Sequence, residues 1–151
     1  MKKTLLFFAV LPLLLAAQTV DAVHPAVLEV CAKHAEIQLE ADVSAVKTLT
    51  LELMRTGDEA VCLNWENDVL TLDRKALTLC SASGMTNQMS MPLVARDGRI
   101  SLRAFVDACA VEVFAEGETM TALAFPEGEA YGVAVKANGK ADVNVTCWEI
   151  N

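Results

Sequence analysis

The residues of this chain that could perform catalysis or hold a metal ion are few. His24 and His34 are the only histidines, so a nucleophile–histidine site would have to use one of them. Both lie near the start of the chain, where residues are often loosely ordered. Cys31 and His34 have the C-x-x-H spacing of half a zinc site, but no second pair follows at zinc spacing. With no Gly-rich phosphate loop either, the sequence predicts no catalytic residue, no metal site and no cofactor.

Aromatic and amide side chains offer a second kind of chemistry, the binding of a neutral sugar. Aromatic rings pack on the apolar faces of sugars, and polar side chains form hydrogen bonds with their hydroxyl groups. The candidate carbohydrate-binding residues are Trp148, Asn144 and Trp65, and the wider set adds Asn64, Asn67 and Tyr131. Trp148 falls on the polar face of its strand, together with Asn144. An aromatic residue on a strand also commonly belongs to a core or an interface.

These candidates lie on or beside segments in which apolar and polar residues alternate, as in half-buried β-strands. The clearest such segments are Ala35–Ala41, Thr48–Arg55, Ala60–Trp65, Ile100–Asp107 and Ala141–Ile150. Short turns separate them, including Asp-Gly and Asn-Gly pairs that tolerate positive φ angles. Many short strands without a strong helical segment predict an all-β fold, either a sandwich or a barrel.

One long segment, Ser81–Met91, departs from the alternating pattern. It is polar and contains three methionines, and Pro92 follows it. We expect a loop that crosses from one sheet to the other, with Pro92 at its exit. No internal repeat, low-complexity tract or linker appears, so the sequence predicts one folded domain.

The first 22 residues have the order of a secretory signal peptide. Met1–Lys3 is basic, Leu5–Ala17 is an apolar run too short to span a bilayer, and Val20–Ala22 suits cleavage after Ala22. A buried strand and an uncleaved membrane anchor are the alternatives. We expect residues 1–22 to be a signal peptide, residues 23–151 to form the domain, and the product to be secreted or periplasmic, without a stable membrane span.

Charge and cysteine content restrict the partners and the covalent structure. The net charge is −8, and it becomes −9 when the leader, with two lysines and one aspartate, is removed. Because an acidic surface repels phosphate groups, we expect neither nucleic acid nor a membrane surface as a partner. Five cysteines cannot all pair within one chain. We expect most of the cysteines to serve as small apolar residues on strands. One disulfide is an open alternative, and the sequence does not identify its two cysteines.

A longer motif lies at Leu102–Phe114, which reads L-R-A-F-V-D-A-C-A-V-E-V-F. It resembles L-R-x-F-V-D-x-S-S-V-E-V-F, found in the C-terminal β-sandwich of glycoside hydrolase family 32, the levanase, invertase and β-fructofuranosidase family. The similarity continues through Leu123–Pro126, Gly132–Val135 and Trp148–Ile150 and includes Leu70–Arg74 upstream. It covers about residues 27–151, so a long ordered series of segments carries it. The resemblance implies that the all-β fold is a two-sheet antiparallel β-sandwich of the concanavalin or lectin-like kind.

Within this motif we expect a structural role for Phe105, Val106, Asp107, Val111, Glu112, Val113 and Phe114. The pattern is that of two strands joined by a tight turn, with Asp107 capping the turn, Val111 and Val113 in the core and Glu112 facing outwards. Cys109 and Ala110 replace the family's two serines, so hydroxyl hydrogen bonds in that hairpin are lost. A ligand-binding role for Asp107 or Glu112 is the alternative.

The resemblance also implies where the family's chemistry takes place. Hydrolysis occurs in a separate N-terminal five-bladed propeller, with W-x-N-D-P-N-G, R-D-P and E-C motifs. Trp65–Asp68 looks like the first motif, but Val69 and Leu70 follow where proline and asparagine should stand. Arg96–Gly98 looks like the second, with glycine in place of proline, and both stretches fit turns between strands. Retaining hydrolysis needs two carboxyl groups about 5–5.5 Å apart that flank the bond. We expect no room for the domain that supplies them, because the sandwich uses nearly all residues after position 22.

The resemblance therefore implies a non-catalytic accessory sandwich that supports a catalytic propeller absent from this chain and is inactive alone. A family 32 propeller and a fructan-type carbohydrate are the implied partners. An exposed apolar patch is expected where the propeller would dock. Three alternatives stay open: a stand-alone fructan-binding module, a fragment of a β-fructofuranosidase, and a generic surface structural or adhesion sandwich.

Overall fold

The computed structural model describes residues 13–28, 33–82, 84, 86–128 and 132–150. Strands dominate this part of the chain, with one short helix. The elements are β1 (Leu13–Val20), β2 (Ala26–Leu28), β3 (His34–Asp42), β4 (Thr48–Thr56), β5 (Glu59–Glu66), β6 (Val69–Asp73), α1 (Thr78–Ala82), β7 (Gln88–Pro92), β8 (Arg99–Asp107), β9 (Ala110–Ala115), β10 (Glu118–Leu123), β11 (Gly132–Ala137) and β12 (Ala141–Glu149).

The strands form two six-stranded sheets. Sheet A has the order β1-β12-β3-β8-β9-β10, and sheet B has the order β2-β11-β4-β5-β6-β7. Every strand pair in both sheets is antiparallel. The predicted all-β, two-sheet antiparallel sandwich is thereby confirmed, and the five predicted segments match β3, β4, β5, β8 and β12 to within one residue.

The prediction for Ser81–Met91 was wrong in its second half. Gln88–Pro92 forms β7, which pairs with β6 through contacts such as Leu72↔Met89 and Leu70↔Met91. Met91 is buried and Met89 packs against the core, because residues two apart on a strand share one face. The chain crosses between the sheets only after Pro92, on its way to β8.

A single hydrophobic core lies between the two sheets. Strands such as β3, β8 and β12 turn alternate side chains inwards. Leu39 and Ala104 of sheet A belong to the same buried core as Leu51 and Val61 of sheet B, and all four are fully excluded from water. Burying a side chain of leucine size stabilises a fold by about 1.5–3 kcal/mol. The inward apolar residues of the alternating pattern therefore fill the space between the two sheets.

Both stretches that resemble catalytic motifs lie at turns, as expected. Asn67 and Asp68 join β5 to β6 with φ angles of 50° and 61°, and Asp97 and Gly98 have φ angles of 51° and 73° just before β8. Two successive positive φ angles belong to the two-residue turns that connect antiparallel strands. These residues are positioned by hairpin geometry.

Strand β1 lies within the segment predicted to be a signal peptide. It forms an edge of sheet A, paired with β12 from Leu13↔Cys147 to Val20↔Ala141, with a bulge between Leu15 and Gln18. The presence of β1 agrees with the alternative interpretation of this segment as a strand. Cleavage after Ala22 stays a prediction. No helix in the described part of the chain is long and apolar enough to cross a membrane.

Candidate functional site

The outward side of sheet A carries three aromatic side chains on neighbouring strands. Trp148 of β12 is opposite Glu36 of β3, Glu36 is opposite Phe105 of β8, and Phe105 is opposite Glu112 of β9. In the next row, Arg103 is opposite Phe114. We call this surface the aromatic face, defined as Glu36, Arg103, Phe105, Glu112, Phe114 and Trp148.

Contacts within the aromatic face hold its side chains in place. The rings of Phe105 and Phe114 meet edge to face with centroids 5.8 Å apart, and the Arg103 guanidinium lies 5.0 Å from the Phe105 ring centre. Arg103 Nε donates a 2.5 Å hydrogen bond to Glu36, and this bond raises the pKa of Arg103. Such ring pairs contribute about 0.5–1.5 kcal/mol beyond burial, so the surface is ordered before any partner arrives.

An open cleft adjoins the aromatic face. Its volume is about 610 Å³, and it is lined by His34, Phe105, Val106, Asp107, Ala110, Glu112, Glu149 and Ile150. His34 Nδ1 lies 2.7 Å from Asp107 Oδ1, which links the start of β3 to the end of β8. Apolar walls with a few polar groups are typical of a small-ligand site, and these carboxylates and imidazole suit the hydroxyl groups of a sugar.

The structure separates the three candidate carbohydrate-binding residues. Trp148 is half-buried and Asn144 is exposed, both on the outward side of sheet A. Trp65 is only 6% exposed, and its indole N–H donates a 2.8 Å hydrogen bond to the carbonyl of Leu93. Because β5 turns Val61, Leu63 and Trp65 towards the core, Trp65 is unavailable to a ligand and leaves the candidate set.

The amide residues of the wider set do not join the aromatic face. Asn64 faces outwards from sheet B, where its side chain accepts a 2.8 Å hydrogen bond from Thr50. Asn67 lies in the turn after β5. The sandwich therefore separates both of them from Trp148, and Tyr131 lies outside the described residues.

The seven motif residues of β8 and β9 divide between the core and the surface. Val106, Val111 and Val113 are buried, while Glu112 faces water, as expected. In the turn, the backbone carbonyl of Asp107 accepts a hydrogen bond from Cys109. The Asp107 carboxylate instead meets His34, 73 residues away along the chain, a pairing without a local sequence signal.

The sequence interpretation gave Phe105 and Phe114 a structural role and did not include them among the candidate binding residues. The structure places both on the outward side of sheet A, where Phe114 is 39% exposed and Phe105 lines the cleft. The signal was present, because Phe105 alternates in phase with Arg103 and Phe114 with Glu112. Leu123 extends this apolar surface with 49% exposure, opposite Ala110 of the cleft.

The described residues contain no group of three or more metal-ligating side chains placed to hold an ion. Among the described residues, Cys62, Cys109 and Cys147 are free thiols. Cys80 is buried, with its Sγ 4.0 Å from the carbonyl oxygen of Leu123. Cys31, the remaining half of the C-x-x-H pair, lies outside the described residues. The disulfide that the sequence left open is not formed among these four cysteines.

Comparison with known proteins gives a family match over most of the chain. The family model described as "Glycosyl hydrolases family 32 C terminal" matches residues 16–149. No match was found among curated protein sequences. The match includes the second half of β1 and all of β12, so it spans both sheets.

Solved structures of whole enzymes contain the same fold. Exo-inulinase from Aspergillus awamori superposes with a TM-score of 0.77 at 18% identity, over 96% of this chain and 30% of that one. Fructan 1-exohydrolase IIa from Cichorium intybus, in complex with 1-kestose, has a TM-score of 0.71 at 14% identity, over 93% and 35%. Sucrose-6-phosphate hydrolase from Lactobacillus gasseri superposes with a TM-score of 0.64 at 16% identity, over 92% of this chain and 29% of that one. The chain therefore spans about a third of the length of these proteins.

Proposed function

The chain belongs to the family of glycosyl hydrolase family 32 C-terminal domains, and from this membership we propose that it is an accessory sandwich for a separate catalytic domain. The family match takes residues 16–149, so a catalytic domain is absent from these 151 residues. The proposed partner is a family 32 propeller that acts on sucrose or fructans.

The observation that carries this proposal is the aromatic face. Phe114 and Leu123 expose 39% and 49% of their surface on an otherwise ordered sheet. Grouped exposed apolar side chains mark surfaces that another protein covers, and aromatic residues with arginine are enriched in such interfaces. We propose that the propeller packs against the aromatic face and Leu123.

Reconstitution with separated propellers tests this proposal. The full chain is mixed with propellers of the three similar enzymes, each produced without its own sandwich, and sucrose or inulin hydrolysis is followed during heating. We expect co-elution and a half-life of activity about tenfold longer, equivalent to about 1.4 kcal/mol in the activation barrier for inactivation.

Two matched variants localise the interface. Phe114→Ser should remove the protection, while Val69→Ser, of similar 41% exposure on the outward side of sheet B, should retain it. Equal protection by both variants would contradict docking on the aromatic face. Absence of co-elution with every propeller would contradict the accessory role.

A stand-alone carbohydrate-binding module is the second candidate, favoured by Trp148 and the neighbouring cleft. Aromatic platforms rimmed by carboxylates bind sugars by packing and hydrogen bonding. Electrophoresis through gels that contain inulin, levan or no polysaccharide tests it. Retardation lost in Trp148→Ala and retained in Asn64→Ala would support binding at the aromatic face, and release of fructose would contradict a non-catalytic chain.

We also propose that residues 1–22 direct export to the periplasm or the medium. Support comes from the basic start, the apolar run of Leu5–Ala17 and the small residues before Val23. Intact mass of the exported chain tests this directly. A product that begins at Val23 is expected, and a cytoplasmic product that retains Met1–Ala22 would contradict export.

A further inference from the structure

The turn between β11 and β12 contains an Asn–Gly pair at the surface. Strand β11 ends at Ala137 and β12 begins at Ala141, and both Asn138 and Gly139 are exposed. Gly139 has a φ angle of 129°, which glycine adopts readily because it has no Cβ. Solvent therefore reaches the side chain of Asn138 and the peptide group that follows it.

Hydrogen bonds tie Asn138 to the residues at the start of β4. Its backbone N–H donates to the carbonyl of Thr48 at 3.0 Å, and its side-chain Oδ1 accepts a 3.1 Å hydrogen bond from the backbone N–H of Lys47. When a nucleophile attacks a carbonyl carbon, negative charge develops on the oxygen, and a donor already placed at that oxygen stabilises the charge. The N–H of Lys47 is placed in this way for an attack on Asn138 Cγ.

The nucleophile for such an attack is the backbone nitrogen of the next residue, Gly139. This nitrogen reaches Cγ of Asn138 by closing a cyclic imide, and a side chain on the residue that carries the nitrogen would obstruct the closure. Gly139 has no side chain. We propose that Asn138 is a modification site, at which the folded chain converts its asparagine to aspartate and isoaspartate with water as the co-reactant.

The conversion exchanges the side-chain amide for a carboxylate and releases ammonia. The Gly139 nitrogen gives its proton to solvent and forms a bond to Asn138 Cγ, while the bond from Cγ to Nδ2 breaks and Nδ2 takes up a proton and leaves as ammonia. Water then adds to either carbonyl carbon of the imide and breaks the bond from that carbon to nitrogen. Breaking the bond at Cγ gives aspartate, and breaking it at the backbone carbonyl carbon gives isoaspartate. Either product adds a negative charge to a chain whose net charge is −8.

The two products differ in how they fit the turn. Isoaspartate carries the backbone through Cγ and so lengthens it by a further carbon atom. Gly139 lies so close to the loop before β4 that a Cβ placed on it would be 3.2 Å from the carbonyl oxygen of Ala45 and 3.3 Å from Val46 Cγ1. A longer backbone therefore displaces the turn and weakens its hydrogen bond with Lys47. Aspartate keeps the backbone length and an oxygen that can accept the same bond.

Peptide mapping of the full chain during incubation at pH 8 measures the conversion. Asn67 is the internal control, because it is also exposed in a turn but precedes Asp68, whose side chain obstructs closure of the imide. Asn138 should convert at least about tenfold faster than Asn67, a difference of about 1.4 kcal/mol in activation free energy. Conversion of Asn138 no faster than that of Asn67, including no conversion at either residue, would overturn the proposal.

Two variants assign the site and separate the products. In Asn138→Ser a hydroxyl group replaces the amide, so ion-exchange chromatography should no longer show the acidic species that accumulates in the wild-type chain. Equal accumulation in both chains would overturn the assignment to Asn138. Hydrogen exchange of the Lys47 amide should be about tenfold faster in the isoaspartate product than in Asn138→Asp. Equal exchange in these two forms would overturn the inferred difference in how the products fit the turn.

Discussion

The carboxylate of Glu59 connects two segments that are distant in sequence. Its Oε1 accepts a 2.7 Å hydrogen bond from the backbone N–H of Thr78 at the start of α1. Its Oε2 accepts a 2.6 Å bond from the backbone N–H of Glu127, after β10. Hydrogen bonds with Thr78 and then Glu127 lower the pKa of Glu59 below 4.5, because donors favour the ionised carboxylate.

We predict an acid-dependent contribution of Glu59 to stability. A carboxylate with a lowered folded-state pKa stabilises the fold fully above its unfolded pKa, and this stability is lost as pH falls through the folded value. Glu59→Gln should lower the free energy of unfolding by about 1 kcal/mol at pH 7, with a smaller difference from wild type as pH falls below about 4. Urea unfolding checks this, with Glu118→Gln as control. An unchanged difference across this range would contradict it.

The thiols should differ sharply in reactivity. Burial raises the pKa of Cys147 to about 11, and that thiol has no exposed surface, whereas Cys109 is exposed in the β8–β9 turn. Because thiolates are the reacting species, we predict rapid alkylation of Cys109 at pH 8 and none of Cys147 before unfolding. Peptide mapping assigns the label, and Cys109→Ser serves as control. Labelling of Cys147 in the folded protein would contradict the buried position.

At the scale of the elements, Arg74 joins the end of β6 to two other segments. It is 4% exposed, and its guanidinium donates to the carbonyl of Leu123 in β10 and, at 2.8 Å, to that of Thr86 before β7. Its Nε has no hydrogen-bond partner within the described residues. Arg74 therefore helps to close the margin where sheets A and B approach each other.

We predict that this closure depends on the shape of the arginine side chain. Arg74→Met should lower the free energy of unfolding by about 2 kcal/mol, because two partly buried carbonyls lose their donor. Arg74→Lys should recover little of it, since one ammonium group cannot reproduce the planar fork. Urea unfolding measures both, with Arg103→Met as an exposed control. Wild-type stability of Arg74→Met would contradict this role.

The sequence predicted those elements whose alternation is strong. Strands β3, β4, β5, β8 and β12 each turn apolar residues inwards at period two, so their positions followed from the pattern. Strand β7 also alternates, with Met89 and Met91 facing the core, but it has only five residues. It was missed because the signal is short and ends at Pro92, and proline is rare within strands. Strand β1 lies in a continuous apolar run, where periodicity cannot distinguish a strand from a leader.

The candidate site was less predictable, because it depends on pairing between distant segments. Alternation placed Trp148 outwards and Trp65 with Val61 and Leu63, which already indicated a buried position for Trp65. Nothing local to β3 or β8 indicated that His34 would meet Asp107. His34 and Asp107 are neighbours because β3 pairs with β8 in sheet A. This strand order results from packing between segments that are distant in the sequence.

For the whole molecule, the shared core implies cooperative unfolding. Leu51 of sheet B is fully buried and belongs to the core that residues of both sheets form. We predict that Leu51→Ala lowers the free energy of unfolding by about 2–5 kcal/mol and leaves one transition. The unfolding transition followed by circular dichroism should coincide with the transition followed by the fluorescence of buried Trp65 and outward Trp148.

Leu123→Ala, at a 49% exposed position, serves as the control for this core substitution, and a surface change should alter stability by less than about 0.5 kcal/mol. Two separate transitions for Leu51→Ala would indicate that the sheets unfold independently. That outcome would contradict a single core.

The pairing of Leu13 with Cys147 places the start of β1 beside the end of β12. The chain consequently enters and leaves the sandwich at the same end of the same edge. A neighbouring domain joined at either of these two points would be attached at this one end of sheet A. The orientation of such a neighbour would then be set by surface contacts, with the covalent linkage limiting only its distance.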